Sequence, residues 1–306
     1  MTTWKELRVG AAQQLRDAGL DTAEVEARWL VEEVSGLDAA ELVAEEGETA
    51  TNRGALALEK LLARRMAGEP IQYVLGHWSF RGLDLSVDPR VLIPRPETEV
   101  VVEYAIAEAV RLGATRGASN AWAGGVTHRR IADLGTGSGA IAFALAAELS
   151  DVEVFAVDAS ADACAVARAN LAGIGNPGVR VRILEGSWFD ALPTELRGEF
   201  SVIVSNPPYL ADRELDEIEP SVRDFEPASA LASGPTGLED FETIIRGAPE
   251  WLTAAGALVL EIAPHQVDPM RALALGAGFD DVAVHRDLAG RDRVLVARRG
   301  YDPHRD

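Results

Sequence analysis

Arg130-Ile131-Ala132-Asp133-Leu134 is a short apolar run that breaks into Gly135-Thr136-Gly137-Ser138-Gly139 and resumes as Ala140-Ile141-Ala142-Phe143-Ala144-Leu145-Ala146-Ala147-Glu148. Strand, glycine turn and helix in that order open an α/β unit. Residues 152–157 supply the next strand, which ends at Asp158. Glycines at such a turn let the backbone approach a ligand closely, and the helix start presents oriented N–H groups. An acidic residue about twenty positions after the glycines is placed to grip a ribose diol.

A second constraint lies downstream. Phe200-Ser201-Val202-Ile203-Val204-Ser205 reads as a buried strand stopped by Asn206-Pro207-Pro208-Tyr209. The prolines fix φ and lack an N–H, so nearby carbonyls stay free to accept, and Asn206 is pushed out of the helical region by the proline after it. The expected result is a stiff cup with one amide side chain, free carbonyls and one aromatic ring. Such a cup suits a planar NH2 group.

The glycines also satisfy a dinucleotide fingerprint, with Ala140 at its third position. Asp133 argues against a pyrophosphate, because like charges repel, and suits the ammonium end of a methionine moiety. Asp133, the glycine turn, Asp158 and the Asn206–Tyr209 cup together point to S-adenosylmethionine and to methyl transfer onto nitrogen.

Composition narrows the partners. The formal net charge is -20, and Lys5 and Lys60 are the only lysines of the 306 residues. Neutralising a phosphate backbone needs clustered cations, so no direct nucleic-acid substrate is expected. The first residues lack the basic start and apolar stretch of a signal peptide, and no apolar run is long enough to span a bilayer. Cys164 is the only cysteine, which excludes an internal disulfide and fits a cytoplasmic enzyme. Its helical surroundings indicate packing rather than catalysis. His77, His128, His265, His285 and His304 show no metal-ligand spacing, so no metal is expected.

The chain reads as three parts. Residues 1–70 form an N-terminal helical, substrate-recognition domain. Capping boxes are expected at Thr3–Glu6, Asp21–Glu24 and Asp38–Glu41, with Gly36 and Gly68 near helix ends. Residues 71–95 read as a hairpin linker, with strands over 72–80 and 83–87 flanking Arg81-Gly82. Residues 96–306 carry the strand–helix alternation, with further strands at 179–184, 200–205, 257–262, 281–286 and 293–297. A surface loop is expected over 112–130. The alternation implies a mostly parallel, doubly covered sheet, and the last two strands an antiparallel edge.

These residues resemble the peptide-chain release factor glutamine methyltransferases, the HemK/PrmC group, over nearly the full length. The resemblance rests on residues 70–76 and 92–99, Asp133 to Gly139, Asp158, Trp188-Phe189, Asn206 to Tyr209, Glu226-Pro227 and Gly237-Leu238. Pro94-Arg95-Pro96 is the discriminating part, since Asn-Pro-Pro-Tyr also occurs in DNA adenine methyltransferases. The resemblance implies a class I methyltransferase: a Rossmann-like α/β fold with a mostly parallel seven-stranded sheet and an antiparallel edge strand, preceded by a small helical domain and a β-hairpin linker.

It also implies a substrate, the glutamine of the Gly-Gly-Gln loop in class-1 release factors, with S-adenosylmethionine as donor; a monomer is expected, although no residue pattern reveals the oligomeric state. Gly135, Thr136, Gly137, Ser138 and Gly139 would cradle the methionine part, Asp158 the ribose, and Trp188 would lie against the adenine. Asn206, Pro207, Pro208 and Tyr209 would hold the glutamine. Ser187 departs from the acidic residue common before the Trp-Phe pair. A ribosomal-protein glutamine, an adenine N6 amine and a non-catalytic donor-binding module are the competing readings.

Overall fold

The computed structural model describes residues 2–115 and 129–300, and these divide into two compact units. One holds the described residues up to His77 together with Glu219–Phe225; the other holds those from Trp78 to Ile218 and from Glu226 on.

The first unit is helical: α1 (Trp4–Asp17), α2 (Ala23–Ser35), α3 (Ala39–Ala44), α4 (Asn52–Met66) and α5 (Ile71–Leu75). Capping boxes start α1 at Thr3 and α3 at Asp38. No such box forms at Asp21: α2 begins one residue later than expected, and the Thr22 hydroxyl donates to Glu26 at 2.6 Å instead of capping. Leu15, Leu30, Val31, Leu58 and Leu62 make the core, with Trp4 beside them. The buried Glu26 carboxylate is held by Arg65 at 2.6 Å. Phe225 lies beside Gly68, where an added Cβ would stand 3.7 Å from its ring. Residues 72–75, expected in a strand, are helical. Pro70 accepts from the Tyr73 and Val74 amides at 3.0 Å each, and Gly76, at φ +83°, ends the turn in the left-handed region.

The second unit starts at Trp78, within the hairpin of β1 (His77–Phe80) and β2 (Leu83–Ser86). Arg81 at φ 47° and Gly82 at φ 76° give a two-residue turn with both central residues left-handed, which matches strand twist. Phe80 and Leu85 are fully buried against the sheet's helices. The remaining elements are α6 (Pro96–Thr115), β3 (Arg129–Leu134), α7 (Ala140–Glu148), β4 (Val152–Asp158), α8 (Ala161–Gly173), β5 (Val181–Glu185), β6 (Phe200–Ser205), α9 (Pro220–Arg223, counted with the helical unit), α10 (Glu239–Trp251), β7 (Leu252–Glu261), α11 (Val267–Gly276), β8 (Asp281–Arg286) and β9 (Asp292–Arg298).

Seven strands form one sheet in the order β5-β4-β3-β6-β7-β9-β8. Strands β3 to β7 are parallel; β9 is antiparallel to both β7 and β8, so the reversed strand is one in from the edge. Successive residues face opposite layers, as strand geometry requires. Val202, Val204, Val259 and Val294 pack with α6 and α7, while Ile203, Leu258, Leu260 and Leu295 pack with α10 and α11. Both faces are covered, which explains near-continuous apolar strands.

Three boundaries differ from expectation. Val179 sits exposed in the 3-10 turn Asn176–Arg180, and the strand starts at Val181. Strand β7 begins at Leu252 rather than 257. Of the loop expected over 112–130, residues 112–115 continue α6 and 129–130 open β3; residues 116–128 lie outside the described residues. Among the described residues no helix is long and apolar enough to cross a membrane, and no cluster of three or more His, Cys, Asp or Glu is placed to hold a metal ion.

Candidate active site

The strand order reverses beside β3, which pairs with β4 on one side and β6 on the other. In open α/β sheets such a switch point leaves a crevice at the carboxyl ends of the strands. Leu134 and Ser205 pair there, and the Ser205 hydroxyl donates to the Leu134 carbonyl at 2.5 Å. The glycine turn and the Asn-Pro-Pro-Tyr segment therefore leave the sheet side by side.

The glycine turn is held from several directions. The Gly135 and Thr136 amides donate to the Val157 carbonyl at 2.8 and 2.9 Å. Asp158 accepts from the Gly137 amide at 2.8 Å with one oxygen and from the Ser160 amide at 2.9 Å with the other. Gly139, at φ +89°, lies so near Phe143 that an added Cβ would stand 2.0 Å from the ring. Asp133 is wholly buried beneath the turn. Its Oδ2 accepts from the Thr136 hydroxyl at 2.6 Å and the Ala142 amide at 3.1 Å, whereas Oδ1 is buried with no hydrogen-bond partner among the described residues. Burial pushes the Asp133 carboxyl up to about 7, against the pull of its two donors. Burial also raises Asp158, against the two backbone amides.

A cavity of about 310 Å³ opens at this point. Of the residues singled out in the sequence, Gly135, Gly137, Asp158, Trp188, Asn206 and Pro208 line it. Asp133, Thr136, Ser138 and Gly139 form the buried layer below. Trp188 has a left-handed backbone, φ 46°, and its ring lies 3.4 Å from where a Cβ on Gly135 would be. Phe189 turns the other way and stacks on Trp251 at 6.0 Å, so the Trp-Phe pair serves two surfaces. Ser187 lines the cavity too, as do Arg90, Ser160, Pro227 and Asp240, which sequence reasoning did not assign.

The Asn206–Tyr209 segment is pinned at both ends. The Asn206 Nδ2 donates to the Thr98 hydroxyl at 3.2 Å, and that hydroxyl donates to Glu261 at 2.7 Å. Asn206 Oδ1 is buried with no partner among the described residues. Pro207 is buried, and the Tyr209 and Leu210 amides both donate to the Leu231 carbonyl. Gln266 Nε2 donates to the carbonyls of Tyr209 at 2.9 Å and Gly237 at 3.2 Å. Burial, then the Glu261 charge, raises the Tyr209 phenol. Glu261 is itself buried at the end of β7, and its carboxyl is pushed up to about 7, chiefly by burial. Nothing local to Asn206 announces Thr98 or Glu261; the available signs were the place of Thr98 in the 92–99 segment and a carboxylate ending the apolar run of β7.

Residues 6–76 match the family model described as the PrmC N-terminal domain, and residues 120–221 match the methyltransferase small domain. A release factor glutamine methyltransferase of Geobacter sulfurreducens is 36% identical over 286 residues, covering 94% of this chain and 93% of its own. One of Salmonella typhimurium is 41% identical over 289 residues, covering 94% and 96%. Among solved structures, the N-terminal domain of human METTL16 in complex with SAH shares the fold, with a TM-score of 0.52 at 17% identity, over 94% of this chain and 97% of that one.

Proposed function

The chain belongs to the release factor glutamine methyltransferases, and from that membership we propose that it methylates the side-chain amide nitrogen of the glutamine in the Gly-Gly-Gln loop of class-1 release factors. S-adenosylmethionine is the proposed donor, and the cytoplasm the proposed place of action. The observation that carries this reading is the unpartnered Asn206 Oδ1 beside the cavity at the sheet's switch point.

The residues present suit that donor. Asp133 Oδ1 is an orphaned buried acceptor under the glycine turn, fit for an ammonium group. Asp158 lines the cavity with lone pairs to spare for a ribose diol, and Trp188 offers an aromatic wall for adenine. Gly135 and Gly137, the two residues of the turn that line the cavity, present backbone there without side chains. When bound, the donor supplies a methyl group on an electrophilic sulfonium.

A side-chain amide nitrogen is a poor nucleophile, because its lone pair is delocalised into the carbonyl. The main task is therefore alignment. Asn206 Oδ1 and the Pro207 carbonyl would accept the two amide hydrogens and so aim the nitrogen. Positive charge grows on that nitrogen as the methyl arrives, and two fixed acceptor dipoles stabilise it more in the transition state than before. Pro208 and Tyr209 would bound the amide plane and exclude water. An N-alkylated amide cation loses its proton readily, so a dedicated base is not required. The helical unit is proposed to recognise the release factor.

The test incubates the chain and an isotope-labelled methyl donor with a class-1 release factor, a ribosomal-protein candidate and duplex DNA, then maps the label by mass spectrometry. Label on the Gly-Gly-Gln glutamine is expected. Label confined to the ribosomal protein or to adenine would overturn the reading.

A further inference from the structure

We propose that Thr98 and Glu261 are positioning residues that dictate which way round the Asn206 amide is held. The proposal rests on the function above for its kinetic consequence, but the geometry stands by itself.

The argument is one of proton counting. A threonine hydroxyl has a single hydrogen and two acceptor lone pairs. The Thr98 hydroxyl gives its hydrogen to Glu261 Oε2 at 2.7 Å, leaving its oxygen able only to accept. The neighbouring end of Asn206 must then be the NH2, found at 3.2 Å, and the carbonyl oxygen is forced to the opposite end. That opposite end is the unpartnered Oδ1. Without the relay an amide of nearly symmetric shape could turn over, presenting donors where the proposed reaction needs an acceptor. Thr98 and Glu261 are 4% and 2% exposed, so water does not compete for these bonds. Burial pushes the Glu261 carboxyl up to about 7, with the Thr98 hydroxyl and the charges of Arg293 and Arg95 pulling the other way and Glu97 adding to the rise. The accepting carboxylate, and with it the relay, therefore belongs to pH above that value.

The three residues come from three elements: Thr98 from the first turn of α6, Asn206 from the end of β6 and Glu261 from the end of β7. The relay thus explains why the segment after Pro94-Arg95-Pro96 belongs to the same site as the Asn-Pro-Pro-Tyr cup.

Thr98→Val keeps the shape and removes the relay. Its kcat is expected to fall roughly 10-fold to 100-fold, as when a bond orienting a functional side chain is lost, with donor affinity and KM for the release factor little changed. Thr98→Ser should restore most of the rate. In an Asn206→Ala background Thr98→Val should cost nothing further, because the amide it orients is gone. Glu261→Gln is the second variant: its carboxamide donates as readily as it accepts, so kcat should fall in the same direction. A readout independent of activity is the Asn206 side-chain NH2 signal in 15N-correlated NMR, expected to be protected from exchange in the wild type and exposed in Thr98→Val. An active wild type with unchanged kcat in Thr98→Val, additive losses in the double variant, or an unaltered NH2 signal overturns the relay. A wild type that labels no release factor overturns the proposed function instead, and the NMR comparison still decides the relay.

Discussion

Glu226 takes the Arg95 guanidinium on one carboxylate oxygen and the Ile93 backbone amide, at 3.2 Å, on the other. The Glu226 side chain is only 1% exposed, against 32% for Arg95. Two motif fragments more than a hundred residues apart are therefore one joint, which ties the start of α6 to Pro227 at the cavity wall.

Arg95→Ala removes a cation from a buried carboxylate. Breaking such a pair from one side costs about 3 kcal/mol. Urea unfolding of the full chain is the measurement, and a loss below about 1 kcal/mol would show that Arg95 is not the counter-charge that matters.

Gly237→Ala tests the pinning of the Asn206–Tyr209 segment. Gly237 has φ +75°, and an added Cβ would stand 2.6 Å from the Tyr209 carbonyl oxygen. Strain and displacement together should cost about 1–3 kcal/mol and lower kcat, because the carbonyl held by Gln266 has to move. Gly278→Ala is the control: its φ is +91° with nothing within 4 Å of the new Cβ, so it should cost only the backbone penalty and leave kcat unchanged. Equal kcat in both variants would mean that the segment tolerates the shift.

Asn206→Ala removes the proposed preorganised acceptor. A fall in kcat of roughly 10²–10³ is expected, with donor binding intact. Near-normal turnover would dismiss the alignment mechanism.

Asp158→Ala removes a carboxylate from the cavity wall. Donor affinity should drop by about 1.5–3 kcal/mol, read by titration calorimetry. Unchanged affinity would take Asp158 out of the donor site.

Asp133 makes stability depend on pH in a stated direction. Its carboxyl titrates near 3.8 in an unfolded chain and at about 7 when folded. Between those values the folded protein keeps a proton that the unfolded chain has released. Stability therefore falls as pH rises from about 4 to about 7, and this loss is complete above the folded pKa. Asp133→Asn should gain on the wild type by roughly 1–4 kcal/mol between pH 4 and pH 8 in urea unfolding. Glu261, raised to about 7 for the same reason, contributes the same slope to both proteins and cancels in the comparison. A pH-independent difference would show that Asp133 ionises normally.

The reach of the sequence had a physical limit. Phe200–Ser205 and Val152–Asp158 were readable because a strand buried on both faces writes itself as a nearly continuous apolar run, stopped by Asn206-Pro207-Pro208 in the one and by Asp158 in the other. Asn206 and Asp158 were readable because each sits at such an end. Residues 72–75 read as strand because so short a helix, Ile71–Leu75, is too brief to separate a period of 2 from one of 3.6; Pro70 and Gly76 held the better clue. The partners of Asn206 were invisible for a different reason. Thr98 and Glu261 meet it only after three elements have packed, and no local pattern encodes that meeting.

Glu219–Phe225 counts with a helical unit whose other pieces all precede Trp78, and the delay this imposes belongs to synthesis rather than to chemistry. At ordinary translation rates those residues emerge roughly 7–30 s after His77. The part of the chain made first is therefore completed late, after β3, β4, β5 and β6 have been made. A fragment ending near residue 77 lacks the Phe225 that lies beside Gly68.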